Sequence, residues 1–310
     1  MNLKFFKYLW IVLLLFVIII NTSACANSDR NRTHRLQWWL KAINWDVPNR
    51  TNGLSGKGVL IAVIDTAVDR VHPDLVGKIV EQHIVEGVPE ELRFEHGTAV
   101  AGIICASPNN KDGVLGIAVD AQILSIVIIN STEAQIDSLI KGIEYAITKN
   151  VDIINISAGI ILNDPRLQSA IDDAYNAGII IVAASGNSSY GEEVYPAKYD
   201  NVISVGSVDS NGKKLFGGGG GSVFLPGGNI VTTYSSIYEP KKYINYTGTS
   251  TSSPMLTGVI ALILEQHPNL SNKDIVSYFR DYQNLEFDTV KVLEDFKRIY
   301  NSDEDLSLEQ

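Results

Sequence analysis

The amino-acid sequence predicts an α/β fold of three layers, a mostly parallel sheet with helices on both faces. Three observations predict it. Apolar runs of strand length alternate with stretches of helical character, the rhythm of strands joined by crossover helices. Some runs, such as Ile179-Ile180-Ile181-Val182, are apolar at every position, which fits burial on both faces of a sheet. The composition, 45% hydrophobic and 19% charged over 310 residues, is that of a globular chain able to bury a large core.

Residues 1–24 read as an export segment. Lys4 and Lys7 supply a positive start, every residue from 8 to 20 is apolar or aromatic, and the small pair Ser23-Ala24 precedes Cys25. That run is short for a membrane span, and it lacks the polar stripe of a surface-packed core helix. Thr22-Ser23-Ala24-Cys25 resembles a bacterial lipobox, which implies acylation of Cys25 and anchorage at the outer face of a membrane. An uncleaved anchor and full release are the alternatives.

Residues 25–36 read as a polar tether, 37–300 as the folded domain and 301–310 as a frayed acidic tail. Strands are expected over 59–64, 122–129, 153–157, 179–184 and 202–205. Helices are expected over 99–105, 133–149, 165–177, 254–266 and 273–282, the fourth stopped by His267-Pro268. The glycine run 217–221 reads as a mobile loop. A net charge of −10 without a basic block argues against a nucleic-acid partner. Two cysteines make no disulfide framework, and Cys105, after Gly102-Ile103-Ile104, reads as a buried small hydrophobe.

Three segments carry chemistry. Asp65 ends the apolar strand 59–64, at the rim where open α/β sheets keep their sites. His96 begins His96-Gly97-Thr98-Ala99-Val100-Ala101-Gly102, the expected start of an apolar helix by its composition. Ser250 sits in Gly248-Thr249-Ser250-Thr251-Ser252-Ser253-Pro254, a turn of small residues opening a long apolar helix. Taken singly, such residues are ordinary caps and turn formers. Together, in the order Asp, His, Ser, they resemble the subtilase family. His72-Pro73-Asp74-Leu75 and Ser185-Gly186-Asn187 extend the match across residues 37–300.

The resemblance implies a subtilisin-like fold and a serine endopeptidase with Asp65, His96 and Ser250 as its triad. Asn187 and the Ser250 backbone N–H would hold the oxyanion. Ser157, Ala158 and Gly159 would line an extended polypeptide substrate. Val194 would floor the pocket for the residue before the scissile bond. An apolar floor favours a medium-sized or large apolar residue there, whereas Glu192 and Glu193 nearby would attract a basic one. Asp74, Asn110 and loop carbonyls would bind a structural Ca²⁺, and catalysis needs no cofactor.

Ala67, Ala99 and Thr251 depart from the family pattern without removing a catalytic group. The stretch after Cys25 is short, so folding unaided or with a helper in trans is expected, and the enzyme is expected to be a monomer. Removing a leader from exported peptides is one role that suits the design. A non-catalytic surface lipoprotein keeping the same fold is the alternative. The glycines of Gly53-Leu54-Ser55-Gly56-Lys57-Gly58 precede their strand instead of following it, the wrong geometry for a dinucleotide site.

Overall fold

The computed structural model describes residues 36–45, 53–88, 93–108, 113–128, 134–188, 191–215, 217, 220–236, 242–282 and 286–307. The expected export segment, Cys25, most of the tether, Asn110 and the centre of the glycine run lie outside them.

A short helix α1 (Trp38–Ala42) precedes strand β1 (Leu60–Asp65), β2 (Ile79–Ile84), α2 (Glu95–Cys105) and β3 (Gln122–Val127). Then follow α3 (Ala134–Thr148), β4 (Ile153–Ile156), α4 (Pro165–Asn176), β5 (Ile180–Ala184), β6 (Ile203–Val208) and β7 (Val223–Pro226). Strands β8 (Ile230–Thr233) and β9 (Tyr243–Tyr246) lead to α5 (Thr249–Gln266), α6 (Asn272–Arg280) and α7 (Thr289–Ser307).

Seven strands form one parallel sheet in the order β2-β3-β1-β4-β5-β6-β7. The chain builds outward from β1 to one side, through β2 and β3, and then to the other from β4 onward. The reversal falls between β1 and its neighbours β3 and β4, and the carboxyl ends of strands at such a point are the usual ligand position in such sheets. Side chains alternate along a strand, so β1 divides its residues between two cores. Ile61 and Val63 pack with α2, α5, α6 and α7, whereas Ala62 and Ile64 pack with α3 and α4. The three expected layers are therefore present.

Strand β2 was not expected, because Glu81-Gln82-His83 breaks its apolar pattern. It is an edge strand, and its polar groups are used: Gln82 Oε1 accepts from the Val68 N–H at 3.0 Å and the Ser125 hydroxyl at 3.2 Å. The acidic tail also differs from expectation. Helix α7 runs on to Ser307, since no glycine or proline interrupts it. The run of glycines before β1 has a structural use, with the Ser55 and Gly56 N–H groups donating to Glu265 Oε2 at 2.6 and 2.7 Å. Among the described residues no helix is long and apolar enough to cross a membrane.

Candidate active site

Asp65 is the last residue of β1 and is buried. Its Oδ1 accepts the Thr66 N–H at 2.6 Å, and both carboxylate oxygens lie 2.8 Å from His96 Nδ1. His96 stands in the first turn of α2, one residue after its start. A close backbone approach puts it there. Gly97 donates its N–H to Thr66 Oγ1 at 2.8 Å, and a Cβ at this position would lie 2.2 Å from the Thr66 carbonyl oxygen. Only glycine lets the helix start come so near the end of β1. Thr98, fully buried, accepts the Asp69 N–H at 2.9 Å and ties the same turn to the same loop.

The Asp65 carboxylate holds the His96 imidazolium above the ordinary histidine range, while burial pulls the other way. The ring keeps 31% of its side-chain surface exposed, so one edge reaches solvent. Tyr246, at the end of β9, packs edge-on against it with centroids 5.8 Å apart. Burial foremost pushes the Tyr246 hydroxyl up to about 12, so it stays a neutral phenol.

Ser250 lies in the first turn of α5, which begins upstream of the expected Pro254 and carries that proline inside it. Proline has no N–H to give the carbonyl four residues back, which is that of Ser250. The Ser157 hydroxyl reaches that carbonyl at 3.4 Å and Ser253 Oγ at 3.2 Å. Asn155 Nδ2 donates to Ser157 Oγ at 3.1 Å, and Thr257 Oγ1 donates to Asn155 Oδ1 at 3.0 Å. A chain of buried and half-buried hydroxyls and one amide thus joins β4, the segment that follows it and the first turns of α5.

Asn187 follows β5. Its Oδ1 accepts the Thr249 N–H at 2.9 Å and the Thr249 hydroxyl at 3.3 Å, which orients the amide and leaves Nδ2 as its donor end. Thr249 Oγ1 in turn accepts the Gly186 N–H at 3.2 Å. Asn187 is thereby anchored to the residue before Ser250. Ser157, Ala158 and Gly159 run out from β4 along the same rim, and Ile160 pairs antiparallel with Tyr195, next to Val194.

Asp74 lies apart from this cluster. Its side chain is fully buried, Oδ2 accepts the Val114 N–H at 2.9 Å, and Oδ1 has no hydrogen-bond partner among the described residues. An orphaned carboxylate oxygen beside Gly113 and Val114 fits an oxygen-seeking cation. Among the described residues no group of three or more His, Cys, Asp or Glu gathers as a metal cluster.

Four residues at the site have roles that the sequence did not assign: Thr249 and Ser253, named only as part of the Ser250 turn, and Thr257 and Tyr246. A detectable signal existed for the first three, since hydroxyls on a helix buried on nearly every side need internal partners. Nothing in the sequence places Tyr246.

Seven parallel strands between two helical layers, with a carboxylate and an imidazole paired at the carboxyl end of the central strand, define a subtilisin-like α/β protein. The model of the Subtilase family matches residues 56–293. Subtilisin E from Bacillus subtilis (strain 168) is 36% identical over 234 residues, covering 73% of this chain and 60% of its own length. Subtilisin from Bacillus pumilus is 36% identical over the same share of this chain and 83% of its own. Fervidolysin from Fervidobacterium pennivorans, a keratinolytic enzyme related to subtilisin, superposes with a TM-score of 0.65 at 29% identity. That likeness covers 77% of this chain and 41% of fervidolysin. The chain belongs to the subtilase family of serine peptidases.

Proposed function

We propose that this chain is an exported serine endopeptidase in which Ser250 attacks the scissile carbonyl of a polypeptide. The observation that carries the reading is His96 Nδ1 held 2.8 Å from both oxygens of the buried Asp65. With Nδ1–H donating to the carboxylate, Nε2 is the nitrogen available to take the Ser250 proton. The imidazolium that forms sits against a buried anion, where its charge is stabilised more than in water. The tetrahedral oxyanion takes hydrogen bonds from Asn187 Nδ2 and from the Ser250 N–H at the start of α5. His96 then protonates the leaving amine. Water, activated by the same nitrogen, hydrolyses the acyl-enzyme and returns the proton to Ser250. Covalent labelling by a fluorophosphonate tests this: the label belongs on Ser250 and is absent in Ser250→Ala. A wild-type chain that resists labelling contradicts it.

Export and anchorage rest on the Lys4–Cys25 segment, with Cys25 as the acylated residue. Incorporation of a labelled fatty acid, lost in Cys25→Ser, is the expected result, and no incorporation contradicts it. At that location the enzyme is placed to remove leaders from exported peptides. Leader-bearing peptides should then accumulate in cells carrying Ser250→Ala.

A structural Ca²⁺ fits the orphaned Asp74 oxygen, with Asn110 and loop carbonyls as further ligands. The ion would neutralise the buried carboxylate and stiffen the loop. Chelation should lower the melting temperature of the wild-type chain and leave that of Asp74→Asn unmoved. Equal loss in both would exclude this site.

A further inference from the structure

We propose that the cleft accepts only a small side chain, that of glycine, alanine or serine, on the residue before the scissile bond, because Val194 fills the slot between Gly159 and Gly186. The inference rests on the peptidase reading and concerns which peptides that site takes.

Two backbone segments face each other across this slot. One follows β4 and is fastened at its end by reciprocal hydrogen bonds between Ile160 and Tyr195, both 2.8 Å. The other follows β5 through Ser185, Gly186 and Asn187, and the Val194 N–H donates to the Ser185 carbonyl at 2.9 Å. Val194 is therefore tied to one segment by its own amide and to the other through its neighbour Tyr195. It has little freedom to withdraw.

Its side chain presses on both glycines. A Cβ at Gly159 would lie 2.2 Å from Val194 Cγ2 and 3.1 Å from its Cβ. At Gly186 a Cβ would lie 3.0 Å from Cγ1 and 3.2 Å from Cγ2. A gap walled by glycine on both sides is what a flat or long side chain needs in order to pass between two backbones. Here one isopropyl group occupies the base of that gap. A phenylalanine or leucine side chain would meet its methyls, and such overpacking is unfavourable because interiors are already close-packed. A methyl or hydroxymethyl stops short of them.

A basic side chain gains nothing to offset the same obstruction. Glu193 Oε1 accepts the Ser204 hydroxyl of β6 at 2.7 Å, and its Cγ and Cδ lie 2.6 and 2.9 Å from where a Gly220 Cβ would stand. That carboxylate is engaged on the sheet side. Glu192 is exposed to solvent, where its attraction is screened. Both readings left open by the sequence, a medium-sized or large apolar residue and a basic one, thus give way to a third. A leader ending in a small residue suits this cleft.

The full chain, purified in detergent, is assayed on six peptide anilides that differ only in the residue before the scissile bond: Gly, Ala, Ser, Leu, Phe or Lys. The Ala and Ser peptides should exceed the Phe, Leu and Lys peptides in kcat/KM by about 100-fold or more. Val194→Gly should raise the Phe-to-Ala ratio by at least about tenfold, and Val194→Ala by an intermediate amount. Equal fluorophosphonate titration of both variants shows that they are folded. A wild-type preference for Phe, Leu or Lys overturns the proposal, as does a ratio that neither folded variant moves. Hydrolysis of none of the six by the wild-type chain would sink the peptidase reading and this proposal together.

Discussion

The first turn of α2 carries His96 and the first turn of α5 carries Ser250, the two groups proposed to react, and different bonding holds each in place. At α2 the fastening centres on a close backbone approach: Gly97 packs on the Thr66 carbonyl, the Thr66 and Thr98 hydroxyls each accept one backbone N–H, and the imidazole is carried onto Asp65 by that approach. At α5 the fastening is a set of short polar side chains, with Thr249 gripping Asn187 and Thr257 and Ser253 reaching Asn155 and Ser157. The first arrangement depends on the absence of a side chain and fails at once when one is added. The second is divided among several hydrogen bonds, each modest in net value, and loses them one at a time.

Of three substitutions that probe this contrast, the one with the largest expected effect lies on the α5 side. Asn187→Ala should lower kcat by about 100-fold to 1,000-fold with KM little changed, because its donor is needed most when the oxyanion forms. A change confined to KM would remove Asn187 from that role. Next comes Gly97→Ala, whose methyl has no space against Thr66. A loss of about 2–3 kcal/mol in stability is expected, read as a fall of several degrees in Tm. Smallest is Thr257→Val, which removes one buried hydroxyl from Asn155 and should cost about 1 kcal/mol. If Thr257→Val proves the more damaging of these last two, the contrast between the helices is wrong.

Much of this was legible in the sequence because burial on both sheet faces leaves a plain trace. β5 is apolar throughout, β1 up to its terminal Asp65, and β3 and β4 are broken only by Gln122, Ser125 and Asn155; the boundaries of these strands moved by no more than two residues. β2 was hidden because an edge strand tolerates Glu81, Gln82 and His83, which find partners outside the ladder. β8 and β9 form a separate pair, so neither shows the rhythm of strands joined by helices. Pro254 looked like a helix start, yet α5 begins at Thr249 and the Ser157 hydroxyl reaches the carbonyl that the proline cannot serve. Motif order pointed to Asp65, His96, Asn187 and Ser250. The groups that orient them depend on tertiary contacts between segments far apart in the chain, and no local pattern encodes those.

The Asp65–His96 pair is the centre of the account, and its protonation can be followed directly. Folding raises the imidazole pKa above its ordinary value of about 6.5. The stabilisation this lends is complete below about pH 6.5 and is lost as the pH rises through the higher folded value. The proposed mechanism needs the neutral ring, so the acid limb of kcat/KM should have its midpoint above about 6.5 in the wild-type chain. In Asp65→Asn the largest cause of the shift is gone and burial remains, so the residual activity, down by about 10⁴-fold, should show a midpoint below that of the wild type. The same midpoint in both proteins would contradict the proposed roles of Asp65 and His96.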